Sequence, residues 1–174
     1  TFENALEKLR KGQFIMIREG TAAHNLKALM PLLTQQYYSR CMFATDDKHP
    51  SDLLHGGHID YIVKQALKNG ADPIVALKTA THHAARYFLL NNKGAIASGY
   101  LADIVVVDNL EDFNVETVFK RGKLVFDGEV KDFSAPTVDE KLAEKCFDTF
   151  HLDSVKPSSF KVDGKLGLIG LVGG

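Results

Sequence analysis

The sequence has few cysteines and no excess of either charge. Its two cysteines, Cys41 and Cys146, lie far apart in a strand-like and a helix-like segment, and neither belongs to a metal-binding Cys pair. We therefore expect two free thiols rather than a disulfide. Twenty-one Lys and Arg residues against 22 Asp and Glu residues give a net charge of -1. This balance provides no electrostatic reason to expect nucleic acid or an anionic membrane as a partner.

Long apolar runs are also missing. No stretch is long enough to cross a bilayer, and the N-terminus lacks the charged-then-apolar pattern of a signal peptide. We therefore expect a cytoplasmic protein without a membrane span. We find no internal repeat and no low-complexity tract. With 174 residues, 45% hydrophobic and 25% charged, the chain has an ordinary globular composition and the length of one domain or parts of two.

Two short apolar runs end abruptly in charged residues. Residues 41–44 are followed by Asp46 and Asp47, and residues 14–17 are followed by Arg18 and Glu19. Such runs are typical of parallel strands that are buried on both faces. The carboxyl ends of these strands are where α/β enzymes place their chemistry. The pattern thus predicts an α/β fold with candidate functional residues at two strand ends.

The residues alone leave the roles of these side chains open. Neighbouring residues on a strand point to opposite faces, so one of Asp46 and Asp47 could bind a metal or take a proton while the other holds the loop. Alternatively, Asp47 caps the following helix and Asp46 sits in a turn. Arg18 and Glu19 could likewise form an ion pair that fixes a loop.

Five histidines between residues 49 and 83 invite a metal-site hypothesis, but their spacing argues against most of it. His82 and His83 are adjacent on a predicted helix and cannot face one ion together, so we interpret them as surface or packing residues. A Gly pair separates His55 from His58. His49 and His58 lie nearer to the proposed site and stay candidates.

The remaining pattern is helical before about Asn91 and strand-like after it. Helices are predicted over residues 2–9, 24–36 with an interruption at Pro31, 59–67 and 72–87. Strands are predicted over residues 102–108, 115–120 and 124–126, the last two joined in a hairpin. A helical segment follows at 138–150 after the Pro136 boundary. The Gly-rich, strand-like end stops inside an apolar run at 166–172, as if the sequence were cut there.

The ordered motifs resemble the amidohydrolase superfamily. The run Gly94-x-Ile96-x-x-Gly99 followed by residues 102–108, and then Val118-Phe119-x-x-Gly122-x-x-Val125, is similar to the small β domain that flanks the metal-dependent barrel of that superfamily. Residues 17–21 and 44–50, with 57–60 downstream, resemble the bacterial adenine deaminase family. The Asp-Asp pair alone is weak evidence, whereas the ordered set from about Glu3 to about Phe126 is specific.

The resemblance implies the C-terminal fragment of a metal-dependent (β/α)8 amidohydrolase barrel with a small flanking β domain. Residues 1–90 would supply the last two barrel strands, 91–132 the flanking β domain, and 133–174 the start of a further domain. It implies hydrolytic deamination of adenine to hypoxanthine and ammonia. Asp46 would be the metal ligand and catalytic proton shuttle, with Arg18, Glu19 and Asp47 around the purine; the adjacency of Asp46 and Asp47 leaves their order open.

The departures from the family pattern set further expectations. The family's His-x-His motif, bridging residue and later histidine ligands have no counterpart, so most ligands of the divalent metal ion (manganese or iron, with zinc as an alternative) would lie upstream. We expect the isolated chain to be inactive and the complete protein to be a homo-oligomer. Two alternatives stay open: a cyclic amide hydrolase resembling dihydroorotase or imidazolonepropionase, and a non-catalytic structural or assembly remnant.

Overall fold

The computed structural model describes residues 1–131, 134, 137–147, 149, 151–161 and 164. Residues 1–131 form one compact unit, and the described residues between 132 and 172 belong to a second. The predicted boundary at Pro136 and the apolar run at 166–172 lie outside the described residues. The division at residue 90 stays a prediction.

The first unit begins with two parallel strands embedded among helices. Its elements in chain order are α1 (Phe2–Arg10), β1 (Ile15–Arg18), α2 (Leu26–Leu29), β2 (Cys41–Ala44), α3 (Pro50–Gly56), α4 (Ile59–Lys68), α5 (Pro73–Ala80) and α6 (His82–Tyr87). Short 3-10 turns at Met30–Leu32 and Tyr38–Arg40 lead from α2 to β2. Strands β1 and β2 pair in parallel, with Ile15 opposite Cys41 and Arg18 opposite Ala44. The prediction of parallel strands that end in charged residues is therefore confirmed, but burial on both faces is wrong for β1, where Met16 is 43% exposed.

The core lies between this strand pair and the helices. Ile17 on β1, Leu32, Ile62 on α4 and Ala76 on α5 have no exposed surface. Burial of a large aliphatic side chain contributes about 1.5–3 kcal/mol, so these contacts fix the strand ends in place. Along β1 the buried Ile15 and Ile17 alternate with exposed Met16 and Arg18, as the two-residue period of a strand requires. Arg18 consequently points away from the core.

Three antiparallel strands follow in the same unit. They are β3 (Ile104–Val107), β4 (Val115–Lys120) and β5 (Lys123–Phe126), in the order β3-β4-β5. Arg121 and Gly122 both have positive φ, at 51° and 78°, the conformation of a tight hairpin turn. Phe113, in the loop between β3 and β4, is 7% exposed and belongs to the same hydrophobic core as Ile62 and Val63. The predicted strands and hairpin are confirmed.

Two of the predicted helices are interrupted. The helix predicted over 24–36 is confined to α2, after which Pro31 lies in a tight turn. The helix predicted to run from residue 72 to 87 breaks at Thr81, whose φ and ψ are -123° and -78°. Thr81 Oγ1 donates to the carbonyl of Leu77 at 2.7 Å, and a Cβ on Gly94 would lie 3.0 Å from the Thr81 carbonyl oxygen. This close approach of the Gly94 loop is a tertiary contact, which the helical periodicity of the sequence cannot predict.

In the second unit, the described residues include α7 (Glu140–Phe147) and a 3-10 turn at Pro157–Phe160. The helix agrees with the pattern in the sequence over those residues. No helix within the described part of the chain is long and apolar enough to cross a membrane.

Candidate active site

Two loops meet at the carboxyl ends of β1 and β2. The first connects β1 to α2, and the second connects β2 to α3. Because parallel neighbours end at the same edge of a sheet, the residues that follow Arg18 and Ala44 are brought together. The backbone continues the pairing one step beyond the strands, since Glu19 N donates to the carbonyl of Ala44 at 3.0 Å. All four predicted site residues lie in or beside these two loops.

Asp46 is joined to Arg18 across the two strand ends. Arg18 Nη1 donates to Asp46 Oδ2 at 3.0 Å, and Arg18 Nε donates to Asn25 Oδ1 at 2.7 Å. Asp46 has φ 57°, a left-handed conformation that Asp adopts more readily than most residues. Its side chain is 44% exposed. The alternative in which Arg18 pairs with Glu19 is wrong, because Arg18 pairs with Asp46.

Asp47 holds the first loop rather than the following helix. Its Oδ2 accepts the backbone N–H of Ala22 at 2.9 Å, and this hydrogen bond lowers the pKa of the Asp47 carboxyl below its usual value. The residue that caps α3 is His49, whose Nδ1 accepts the N–H of Ser51. The alternative in which Asp47 caps that helix is therefore wrong. Asp46 and Asp47 make different contacts, but both lie beyond the end of β2, where strand alternation no longer applies.

Glu19 is turned into its own loop. Its Oε1 lies 2.7 Å from His24 Nδ1, and its Oε2 accepts the N–H of Leu26 at 3.1 Å. The side chain is only 14% exposed. Leu26 is the first residue of α2, so the Glu19 carboxylate satisfies an N–H that no residue of the helix can satisfy. A negative charge at this end also complements the helix dipole.

Thr21 connects the two loops from the other side. Its Oγ1 donates to Asp52 Oδ2 and accepts the N–H of His49 at 2.8 Å. One hydroxyl therefore links the β1–α2 loop to the start of α3. Together with the Asp47–Ala22 hydrogen bond, it fixes the distance between the two strand ends.

The histidines fall into two groups, one beside the second loop and one packed against β2. His58 Nε2 lies 3.5 Å from Thr45 Oγ1, beside the second loop. His83 is buried, and its Nδ1 lies 3.1 Å from the carbonyl oxygen of Cys41. Desolvation lowers the pKa of His83. His83 is thus a packing residue of the β2 edge, in agreement with the sequence interpretation.

Sequence reasoning did not identify Asn25, Thr21 or His24. Asn25 offered a signal, since Asn is a preferred residue at the position before a helix. It does occupy that position for α2, but its side chain makes no capping hydrogen bond there. Its amide oxygen faces Arg18 instead. The contact partner lies on another element, which no local pattern specifies.

The described residues at the two strand ends do not form a complete metal site. No group of three or more His, Cys, Asp or Glu residues in the described part of the chain is arranged to hold an ion. Asp46 fits the role of a single ligand: it supplies a carboxylate at an exposed strand end, and within the described residues only its Oδ2 is hydrogen-bonded. A complete site would need further ligands from outside these residues.

Comparison with known proteins identifies the family. The model of the amidohydrolase family matches residues 9–125, which include both strand ends and all of the antiparallel sheet except Phe126. The chain belongs to the amidohydrolase family. This amidohydrolase is similar to the adenine deaminase of Kosmotoga olearia, with 47% identity over 154 residues that cover 80% of the chain and 27% of the relative. The adenine deaminase of Thermosipho africanus is 51% identical over 125 residues, covering 72% of the chain and 22% of the relative.

A third relative extends the match along the whole amidohydrolase chain. Adenine deaminase 2 of Carboxydothermus hydrogenoformans is 40% identical over 173 residues, which are 99% of the chain and 30% of the relative. The chain thus spans less than a third of the length of the curated relatives it matches. A solved β-aspartyl dipeptidase of Fervidobacterium islandicum AW-1 has a TM-score of 0.61 at 24% identity, covering 76% of this chain and 38% of that one. This likeness supports the amidohydrolase fold.

Proposed function

We propose that the protein to which this chain belongs hydrolyses adenine to hypoxanthine and ammonia. The similarity to adenine deaminases at 40–51% identity supports the substrate. The observation that carries the proposal is the Asp46 carboxylate, presented at the end of β2 and held by Arg18 at 3.0 Å from the end of β1. A carboxylate that activates water must be accessible and held in place, and Asp46 is exposed and hydrogen-bonded to Arg18.

Asp46 acts as the proton shuttle in this proposal. It takes a proton from the water that attacks the amine-bearing carbon and returns it to the departing ammonia, so one water is consumed for each adenine. When bound, a divalent metal ion (manganese or iron, with zinc as an alternative) would strongly lower the pKa of the attacking water. Asp46 would be the ligand that this chain supplies.

Arg18, Glu19 and Asp47 are proposed to line the purine pocket. Arg18 uses Nε and Nη1 for Asn25 and Asp46, so the rest of its five N–H donors stay available for purine acceptors. Glu19 keeps acceptor capacity beyond its two contacts, since a carboxylate offers about four lone-pair sites. Asp47 lies beside them and holds the loop to which they belong.

The proposal also includes the oligomeric state, the cellular location and the partners of the complete enzyme. The complete enzyme is a cytoplasmic homo-oligomer that binds a small purine and neither nucleic acid nor membrane. The isolated chain is inactive, because Asp46 is a single ligand and metal sites need several.

Ammonia release from adenine by the intact gene product, loaded with manganese or iron, tests the proposal. Adenosine and cytosine are the controls. We expect release from adenine alone. If the protein holds metal but releases no ammonia from adenine, adenine is rejected as the substrate and a cyclic amide hydrolase is favoured. A protein that neither holds metal nor releases ammonia would support the non-catalytic alternative.

A further inference from the structure

Asn25 occupies a helix-start position without capping the helix. Residues of this type ordinarily place their side-chain oxygen on an N–H of the first helical turn, a contact that stabilises the helix. In this chain the side chain of Asn25 makes no such hydrogen bond. The N–H of Leu26, the first helical residue, is satisfied by Glu19 Oε2 at 3.1 Å. The amide of Asn25 is therefore left for another task.

That task is the orientation of Arg18. Asn25 Oδ1 accepts Arg18 Nε–H at 2.7 Å, while Asn25 N donates to the carbonyl of Arg18 at 3.0 Å. Side chain and backbone thus bind the same residue. A guanidinium group is planar with fixed donor directions. Once Nε is held, the direction of Nη1 is set, and Nη1 is the atom that contacts Asp46 Oδ2.

We propose that Asn25 is a positioning residue that acts through Arg18 to fix the carboxylate of Asp46. The inference rests on the proposed function, because it assigns Asn25 a place in the machinery of that same site. An exposed arginine side chain has several rotamers, and only some place Nη1 near Asp46. By selecting one of them, Asn25 holds the proton shuttle in a single orientation. A misplacement of about 1 Å at a reacting group can cost roughly a hundredfold in rate.

The first test compares variants of the intact, metal-loaded protein. Asn25→Leu keeps the size but removes the acceptor, and we expect kcat to fall roughly ten- to a hundredfold. Asn25→Asp retains an oxygen toward Arg18 Nε and should restore kcat to within a few-fold of the original. Asn4→Leu makes the same chemical change at an exposed position on α1 and should leave kcat unchanged. Equal losses in Asn25→Leu and Asn25→Asp would overturn the proposal.

A double-mutant cycle separates positioning from a general structural role. If Asn25 acts only through Arg18, then Asn25→Leu should change kcat less than about twofold in an Arg18→Met background, since the intermediary is already gone. A further tenfold loss in that background would show that Asn25 acts by another route and would refute the inference.

Crystal structures of the Asn25→Leu and Asn25→Asp proteins give a readout that needs no activity on adenine. We expect the Arg18 Nη1–Asp46 Oδ2 contact to be lost in the first and kept in the second. The inference fails if the contact is unchanged in Asn25→Leu. An intact protein that shows the expected structures but no ammonia release would contradict the proposed substrate while leaving the positioning role of Asn25 supported.

Discussion

A Cβ atom on Gly20 would lie 1.7 Å from Oδ1 of Asp47. Gly20 is buried in the β1–α2 loop, and Asp47 follows β2. The two loops are therefore packed so closely that only a residue without a side chain fits at position 20. The Asp47 carboxylate occupies that space and accepts the N–H of Ala22. This packing places Arg18 and Asp46 within contact distance.

Replacement of Gly20 by Ala should separate the two loops. The new methyl group would displace the Asp47 carboxylate from Ala22, and it would also lie 2.9 Å from the backbone carbonyl oxygen of Thr45, which cannot rotate away. Overpacking of this kind costs about 1–3 kcal/mol of the free energy of unfolding. Denaturant unfolding of the intact protein, together with ammonia release, measures both consequences.

Gly56→Ala is the matched control for Gly20→Ala. Gly56 ends α3, and a Cβ there would meet no atom within 4 Å. Because Ala favours helix over Gly by up to about 1 kcal/mol, this variant should be neutral or slightly more stable. Equal destabilisation by the two substitutions would contradict the close-packing argument.

Asp103 predicts a pH dependence of stability. Its carboxylate accepts from Lys93 Nζ and Lys120 Nζ, both at 2.7 Å, and from Arg121 N at 2.9 Å. The hydrogen bonds from Lys120, Lys93 and Arg121 hold the pKa of Asp103 well below its ordinary value of 3.8, and the same contact raises the pKa of Lys120 above 10.5. A lowered carboxyl pKa contributes stability that is present above the unfolded-state pKa and lost as the pH falls through the folded-state pKa. A raised lysine pKa contributes stability that is lost only as the pH rises through its folded-state value.

The difference in unfolding free energy between the original protein and Asp103→Asn should therefore stay constant from about pH 5 to pH 9 and shrink below about pH 4. Denaturant midpoints across this range provide the measurement. Asp153→Asn serves as the control, since Asp153 is exposed and makes no hydrogen bond in the described part of the chain. Its unfolding free energy should change with pH in the same way as that of the original protein. If the difference in unfolding free energy between the original protein and Asp103→Asn stays unchanged down to pH 2, the charge of Asp103 is not the source of that difference.

The sequence predicted the strand ends well because their signal is local. An apolar run bounded by charges marks β2 at residues 41–44, and the β-branched content of residues 115–120 marks β4 in the same way. The apolar run at residues 14–17, together with the run at 41–44, predicted candidate functional residues at two strand ends. The antiparallel hairpin could be predicted equally well, because Gly122 readily adopts the positive φ that a tight hairpin turn requires.

The contacts among the site residues could not be predicted, because each depends on a partner in another element. Nothing in the sequence shows that Asn25 faces Arg18 rather than its own helix, or that Thr21 reaches Asp52. Glu19 illustrates the limit most clearly, since no local pattern shows that its carboxylate contacts His24 and the N–H of Leu26. The break at Thr81 has the same origin, because the Gly94 loop that packs there lies outside the helical pattern.

The two cysteines should differ sharply in reactivity. Burial raises the pKa of the Cys41 thiol to about 12, whereas Cys146 is exposed. Only the thiolate reacts with alkylating agents, so iodoacetamide at pH 8 should label Cys146 and spare Cys41 in the native protein. Peptide mass spectrometry measures the two sites, and denaturation should make both reactive. Rapid native labelling of Cys41 would show that β2 is not buried as described.

Metal retention distinguishes the isolated chain from the intact protein. With Asp46 as the single ligand proposed here, the 174-residue chain should lose manganese, iron or zinc on dialysis, because one carboxylate cannot hold such an ion against water. Elemental analysis after dialysis measures the ratio of metal to chain. One tightly held ion per isolated chain would contradict the proposal that most ligands lie outside it.

Asp46→Asn in the intact, metal-loaded protein tests the proton shuttle itself. Asn has nearly the same shape and can still face Arg18, but it cannot take up a proton, so kcat for ammonia release should fall by about 10²–10⁴. Asp47→Asn should cost far less, because Asp47 contacts the N–H of Ala22 rather than Arg18, and an Asn oxygen accepts the same bond. The ratio of the two losses settles which neighbour carries the chemistry: full activity in Asp46→Asn, with a large loss in Asp47→Asn, would transfer the shuttle role to Asp47.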